Sequence, residues 1–255
     1  MKRKTLILLV IFCLASIHVV FSQKEHQGAK AATAKPKTEA VGKVVSISLD
    51  RNDVVSGAIL TEFIPESGFV STAKNSHYYI VKYNPDDTFG IRLKIPERGK
   101  QYQFCISIDG VSIIGKKKVA GDPVQIATWK DVENYVHYDT EPEGDLIQGW
   151  RNRGSDQSVS KFKVVNYAES IAAYIGNHYQ AGWIIIAVFP FEEKEKTRSG
   201  TRGGSSPDTA DPGLGVAEGE KVVAPIAETQ GQASSDVATD IFYFKIVRDT
   251  AKIKP

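Results

Sequence analysis

Tyr102-Gln103-Phe104-Cys105-Ile106-Ser107-Ile108-Asp109-Gly110 is the stretch that decides the fold class. Tyr102, Phe104, Ile106 and Ile108 fall on one side of an extended chain, and Gln103, Cys105, Ser107 and Asp109 fall on the other. This strict period of two is the signature of a strand and not of a helix. Asp109-Gly110 follows at once. Both residues tolerate positive φ, so the pair predicts a tight hairpin with Val111–Ile114 as the returning strand.

The same alternation recurs outward in both directions. Val45, Ile47 and Leu49 alternate with Ser46 and Ser48, and Ile91, Leu93 and Ile95 alternate with Arg92 and Lys94, each predicting a strand with one wet face. Further strands are expected at 78–83, 133–139, 145–150 and 158–165. Trp183–Phe189 is apolar throughout, which suits a central strand buried on both faces and is too short to cross a membrane. Asp240–Arg248 predicts a last strand with Phe242, Phe244 and Ile246 on the core face. One helix is expected over 167–175, with Asn166 and Glu169 as a capping box, Tyr167, Ile171, Tyr174 and Ile175 as the apolar stripe, and Gly176 as the stop. Many short strands with turn signals and one small helix predict a mostly-β chain. The expected architecture is an antiparallel, jelly-roll-like β-sandwich, and the helices that a parallel α/β fold needs are missing.

The amino terminus reads differently. Lys2, Arg3 and Lys4 precede an apolar run from Leu6 to Val20, and the small residues Val20 and Ser22 stand before a cleavage site. Residues 1–22 are expected to be a signal peptide, and the remainder to be exported to the periplasm or beyond the cell. Residues 23–42, rich in Ala, Lys, Gln and Thr, read as a flexible tether, and 43–255 as the sandwich. Within it, the charged and Gly/Ser/Pro-rich run 192–221 is expected to be a long exposed loop.

Loss of residues 1–22 changes the chemistry of the chain. It removes three of 32 basic residues and none of the 30 acidic ones, leaving a net charge of −1. No concentrated basic face points to nucleic acid. Cys13 leaves with the signal, so Cys105 remains alone and no intrachain disulfide forms. Cys105 lies in an alternating strand and is expected to be buried and inert.

Several segments together resemble an uncharacterised family of bacterial and viral proteins. FCISIDGVSIIGKKKVAG is similar to that family's strand ending in Val-Asp-Gly with a short apolar return. LIQGWRNRGSDQSVSKFKV resembles its Gly-Trp-Arg motif, YAESIAAYIGNHYQAGWIIIAVF its helix and Ala-Val-Phe strand, and PGLGVAEGEKVVAPI its later glycine-rich turn. The resemblance runs from about Tyr78 to Asp249. It implies a β-sandwich, and no activity is established for the family.

The histidines at 26, 77, 137 and 178 are scattered, and no Gly-x-Ser-x-Gly elbow occurs. One Cys and no close His pair make zinc improbable. Asp86-Asp87 and Asp208/Asp211 read as turn carboxylates before calcium ligands. Glu141 and Glu143 read as a solvated turn, and Lys116-Lys117-Lys118 likewise. No cofactor is expected. The pair Trp150-Arg151, with Asp109 as the partner of Arg151, is the strongest binding candidate, because Trp and Arg are typical of interface anchors. The structural reading outweighs it: Trp150 caps the core and an Arg–Asp bridge fixes two turns. The expected function is a non-enzymatic binding module of the cell envelope, with an envelope macromolecule or protein as partner. A self-associating structural subunit and an envelope glycan hydrolase are the alternatives.

Overall fold

The computed structural model describes residues 37–65, 75–97, 99–116, 118, 135–137, 144–151, 158–193, 214–224, 231–233 and 238–250. The segment read as a signal, most of the stretch read as a tether, and Glu141, Glu143, Asp208, Asp211 and Lys117 lie outside them.

The chain folds as two sheets packed face to face. The first contains β1 (Glu39–Val41), β2 (Ser46–Arg51), β5 (Thr88–Lys94), β9 (Asp145–Ile147), β10 (Gly149–Arg151), β11 (Ser158–Asn166) and β13 (Leu214–Val223). The second contains β3 (Leu60–Glu62), β4 (Ser76–Tyr83), β6 (Tyr102–Ile108), β7 (Val111–Ser112), β8 (Tyr135–His137), β12 (Trp183–Glu193), β14 (Gly231–Ala233) and β15 (Asp240–Arg248). Among the described strand pairs only β4 and β15 run parallel and the others are antiparallel; an isolated parallel bridge joins Ile114 to Arg151. The expected antiparallel sandwich is therefore the fold.

The core between the sheets takes the residues that alternation assigns to it. Ile47, Leu49, Ile91, Leu93, Phe162 and Val164 of the first sheet meet Phe104, Ile106, Ile184, Ile186, Phe242 and Phe244 of the second. β12 lies between β15 and β6, as its unbroken apolar run demands. Its odd face joins Cys105, Ile241 and Tyr243 in a second apolar cluster on the outside of that sheet, through Ile185, Ala187 and Phe189. This explains why every residue of β6 is buried, although its sequence alternates. Gln103, Cys105 and Ser107 face that second cluster's side of the sheet and not water. Burial pushes the Cys105 thiol up, away from reactivity.

The hairpin after β6 forms as its turn chemistry requires, with φ of 53° at Asp109 and 77° at Gly110. A Cβ at Gly110 would sit 1.9 Å from the Asn177 amide, so the position excludes a side chain twice over.

Three boundaries differ from expectation. β1 lies inside the stretch read as tether, and Lys37 pairs with Leu60 through both backbone groups. Residues 37–41 thus join the edge of one sheet to the edge of the other. β13 takes up the last part of the run read as a loop. Its glycines mark close backbone approach: a Cβ at Gly215 would lie 2.4 Å from Ser170 Cβ. The helix is broken into a 3-10 turn (Tyr167–Glu169), a single α-turn α1 (Ile171–Tyr174) and a second 3-10 turn (His178–Gln180). Ser170 is the true cap: it is extended (ψ 161°), and its hydroxyl accepts from the Ala173 N–H at 3.1 Å. Asn166 makes no cap bond and instead accepts from Arg248 at 2.9 Å. Tyr174 is 91% exposed, so the apolar stripe is reduced to Ile171 and Ile175.

Candidate functional site

Trp150, Arg151 and Asp109 do come together, though not as a binding surface. Trp150 and Asp109 reach strand β13, and Arg151 reaches the residue just after it. Trp150 is 1% exposed, stands edge-to-face with Phe162 at 5.4 Å, and donates its Nε1–H to the Ala217 carbonyl at 3.2 Å. Arg151 donates Nη2–H to the Ala224 carbonyl, while its backbone N–H donates to Ile113 and its carbonyl accepts from Gly115. The Asp109 carboxylate accepts the Val216 N–H and the Gly182 N–H, each at 2.7 Å. The expected Arg151–Asp109 bridge is not among the contacts either residue makes here. Asp109 is committed to backbone amides, and Arg151 points toward the residue that follows β13. Lys116 adds a fourth tie, an ion pair with Glu218.

Beneath this, one buried polar pair is notable. Asp109 is wholly buried, and burial raises its pKa to about 7 against the opposing pull of the Val216 and Gly182 N–H groups and of Lys245. Burial lowers Lys245 to about 8, with Asp109 opposing. Lys245 Nζ donates to the Ala181 carbonyl at 2.6 Å and lies 5.1 Å above the Trp183 ring. These bonds tie the β6–β7 hairpin, the segment after α1, β13 and β15 into one cluster. It is closed to solvent at Asp109 and suits architecture.

The most site-like surface is on the outer face of the first sheet. Period two leaves Ser46, Ser48 and Asp50 of β2 beside Gly90, Arg92 and Lys94 of β5. The connection after β2 then folds back over this face. It holds three non-glycine residues with positive φ, at Asn52 (48°), Asp53 (63°) and Ser56 (48°). Such residues cost on the order of 1 kcal/mol or more each, and persist where surrounding bonds fix them. Here Ser56 donates its N–H to Asp50 Oδ1 at 2.8 Å and its hydroxyl to Ser48 at 3.0 Å. Thr88 donates its N–H to Asn52 Oδ1 at 2.8 Å, and Lys161 bonds Asp53 at 3.1 Å. The arm is thus pinned at both ends, and Val55 projects from it, 52% exposed.

The arm divides the face into two depressions that share Val55 and Arg92. One, of about 240 Å³, is walled by Thr38, Glu39, Ser46, Ser48, Ser56 and Lys94. The other, of about 230 Å³, is walled by Asp50, Asp53, Thr88, Leu146, Gln148 and Lys161. Arg92 forms the floor of both and is held in place by Asp50, with Nη2 to Oδ2 at 2.6 Å and Nε to Oδ1 at 3.3 Å; its Nη1 donates to the Gly144 carbonyl at 3.3 Å. Gly90 has no side chain because Leu146 lies over it; a Cβ there would meet Leu146 at 2.7 Å. Nearby, burial would raise the Asp87 carboxyl, but the Asn84 N–H, the Asn52 amide and Arg51 outweigh it and hold it below its ordinary value.

The remaining polar group of interest is His77–Asp240, with Nε2 and Oδ1 3.2 Å apart. Asp240 is fully buried and also accepts the Lys43 and Val44 N–H groups at 2.9 and 3.0 Å. It anchors the start of β2 and orients a partly exposed imidazole. Among the described residues no three His, Cys, Asp or Glu side chains converge as a metal site.

None of the residues on the outer face was singled out for binding by the sequence. The signal was there, in Ser46/Ser48 and Arg92/Lys94 on the wet faces of two strands. What was missing was that these strands are neighbours and that residues 52–56 lie across them. Compared with protein-family models, curated proteins and solved structures, the chain matches none.

Proposed function

We propose that this chain is an exported, non-enzymatic binding module of the cell envelope, and that its binding face is the outer face of the first sheet around Val55. One observation carries the reading: two adjoining depressions flank a strained, tightly bonded arm that presents exposed apolar residues, Val54 and Val55, over a polar floor. A fixed loop on a sheet is a common way to build a binding surface. Export to the periplasm or outside the cell rests on residues 1–22, whose charge and apolar pattern is that of a signal peptide. Among the described residues no helix is long and apolar enough to cross a membrane.

The glycan hydrolase alternative finds less support. Asp50 and Asp53 line one depression, but the Asp50 oxygens are occupied by Arg92 and the Ser56 N–H, and Asp53 by Lys161. The self-associating alternative meets charge at one edge of the first sheet. Among the described residues β13 pairs with β11 alone, and its outer half carries exposed Glu218, Glu220 and Lys221. Charged side chains on an edge strand resist edge-to-edge pairing.

The test is co-sedimentation of the exported protein with insoluble envelope from its host, wild type against Val55→Asp. Retention of the wild type with at least about tenfold weaker retention of the variant supports the reading; every 1.4 kcal/mol of contact is tenfold. Equal retention of both would remove binding from this face, and retention of neither would remove the binding module itself.

A further inference from the structure

We infer that the outer face binds a neutral oligosaccharide that lies across both depressions, with sugar units on either side of Val55. The inference rests on the reading of this face as the binding surface, and assigns it a ligand class.

Size comes first. Each depression, at about 240 or 230 Å³, is below the range of roughly 300–1,000 Å³ usual for small-molecule sites, whereas the two together fall inside it. They share Arg92 and Val55 and so form one elongated surface. An extended ligand of repeated units fits that shape better than a single compact molecule.

Charge comes next. Arg92 is neutralised by Asp50 at 2.6 Å, and Lys161 by Asp53 at 3.1 Å. Lys94 and Glu39 stand on the same wall with opposite signs. The face therefore offers no surplus of one charge, which an anionic or cationic ligand would need. What it offers instead is hydroxyl and amide chemistry: Thr38, Ser56 and Ser46, the last already donating to Glu39 and left to accept, on one side, and Thr88 and Gln148 on the other. Hydroxyls both donate and accept, which matches a ligand that carries hydroxyls along its length. Val55 and Leu146 supply the apolar contacts that the C–H faces of sugar rings require. The whole surface is pinned before any ligand arrives, by the Ser56–Asp50, Ser56–Ser48 and Asn52–Thr88 bonds, so little ordering cost falls on binding.

The experiment is titration of the isotope-labelled exported protein, read by amide chemical shifts. The probes are neutral tetrasaccharides of glucose, mannose and N-acetylglucosamine, their disaccharides, a uronic acid tetrasaccharide, and a pool of extended octapeptides. The expected result is saturable shifts at Ser48, Ser56, Arg92 and Gln148 with one neutral tetrasaccharide. Its disaccharide should bind at least about tenfold more weakly, because it cannot span Val55, and the uronate should bind no better than the neutral chain. Val55→Trp, at an exposed position, should fill both depressions and abolish the shifts while the remaining spectrum and the melting temperature stay unchanged. Gln148→Ala should weaken binding without either depression being blocked. Absence of shifts with every neutral tetrasaccharide up to about 20 mM overturns the inference. Equal affinity of disaccharide and tetrasaccharide overturns the spanning arrangement. Shifts at this face with the peptide pool alone overturn the saccharide class and leave the binding face standing. If no probe binds while Val55→Asp still abolishes envelope retention, the ligand class alone has failed.

Discussion

At the scale of single residues, buried carboxylates holding remote backbone amides do much of the structural work. Asp109 holds Gly182 and Val216, Asp240 holds Lys43 and Val44, and Asp50 holds Ser56. Asp109→Asn should cost about 1–3 kcal/mol, because the amide offers one acceptor where two N–H groups need two. The substitution should also change the pH profile. Asp109 is raised from 3.8 to about 7, so the folded state binds the proton more tightly, and stability falls as pH climbs through that window. Lys245, lowered from 10.5 to about 8, acts in the other direction: stability recovers as pH rises from about 8 toward 10.5. Urea denaturation across pH 4–9 should show the first decline in the wild type and lose it in Asp109→Asn; a decline of the same size in the variant would remove Asp109 as its source. Trp150→Ala should cost about 3–5 kcal/mol as a core truncation, with envelope retention unchanged in whatever fraction folds. A selective loss of retention at full stability would return Trp150 to the binding surface. Cys105 should resist thiol reagents until the protein unfolds, so that labelling follows the unfolding rate measured by fluorescence.

At the scale of elements, β13 is held by side chains from several other elements as well as by its ladder. It pairs with β11 along its length, with a register shift between Ser160 and Phe162. Side chains from other elements then tie it at three residues, Asp109 at Val216, Trp150 at Ala217 and Lys116 at Glu218, and Arg151 holds Ala224 just past its end. Trp150 is buried and its neighbour Arg151 half-buried, so two adjacent residues of β10 hold β13 and the residue after it, across the intervening β11. Each such hydrogen bond is worth on the order of 1 kcal/mol net. Arg151→Ala should therefore raise hydrogen exchange in 217–224 by about tenfold and leave β12 and β15 unchanged. Uniform exchange changes in all strands, or none in β13, would show that Arg151 does not act locally. The cap between β11 and β12 follows the same logic. Its helix is short because Ser170 must lie against Gly215 and Asp109, which breaks the turn before a stripe can form.

At the scale of the whole molecule, the sandwich is closed at one side by its own amino-terminal strand. Lys37 pairs with β3 of one sheet, and Glu39–Val41 pair with β2 of the other. Truncation through Val41 should open both sheet edges and lower the denaturation midpoint, whereas truncation to Pro36 should not. Equal stability of the two would assign the seam no role. The proposed export is tested at this scale too: protein recovered outside the cytoplasm should begin at Gln23, and recovery of a chain that begins at Met1 would remove the signal-peptide reading.

By itself the sequence determined the class of fold, the placement of the strands and which side of each faces the core. Period-two alternation is local, and it survives in any tertiary arrangement that buries one face. That is why 102–108, 183–189 and 240–248 were legible to within a few residues. It also determined the Asp109-Gly110 turn, since positive φ is a property of those residues. Tertiary structure decided what alternation cannot carry. It buried the polar face of β6, because a second apolar cluster covers that side of the sheet. It turned Trp150, Arg151 and Asp109 from a supposed binding pair and its partner into ties on one strand and the residue after it, since their targets lie more than sixty residues along the chain from each of them. And it made a surface from Ser48, Ser56, Arg92 and Gln148, which are unremarkable one by one. They become a candidate site only because sheet pairing sets β2 beside β5 and the strained arm lies across both.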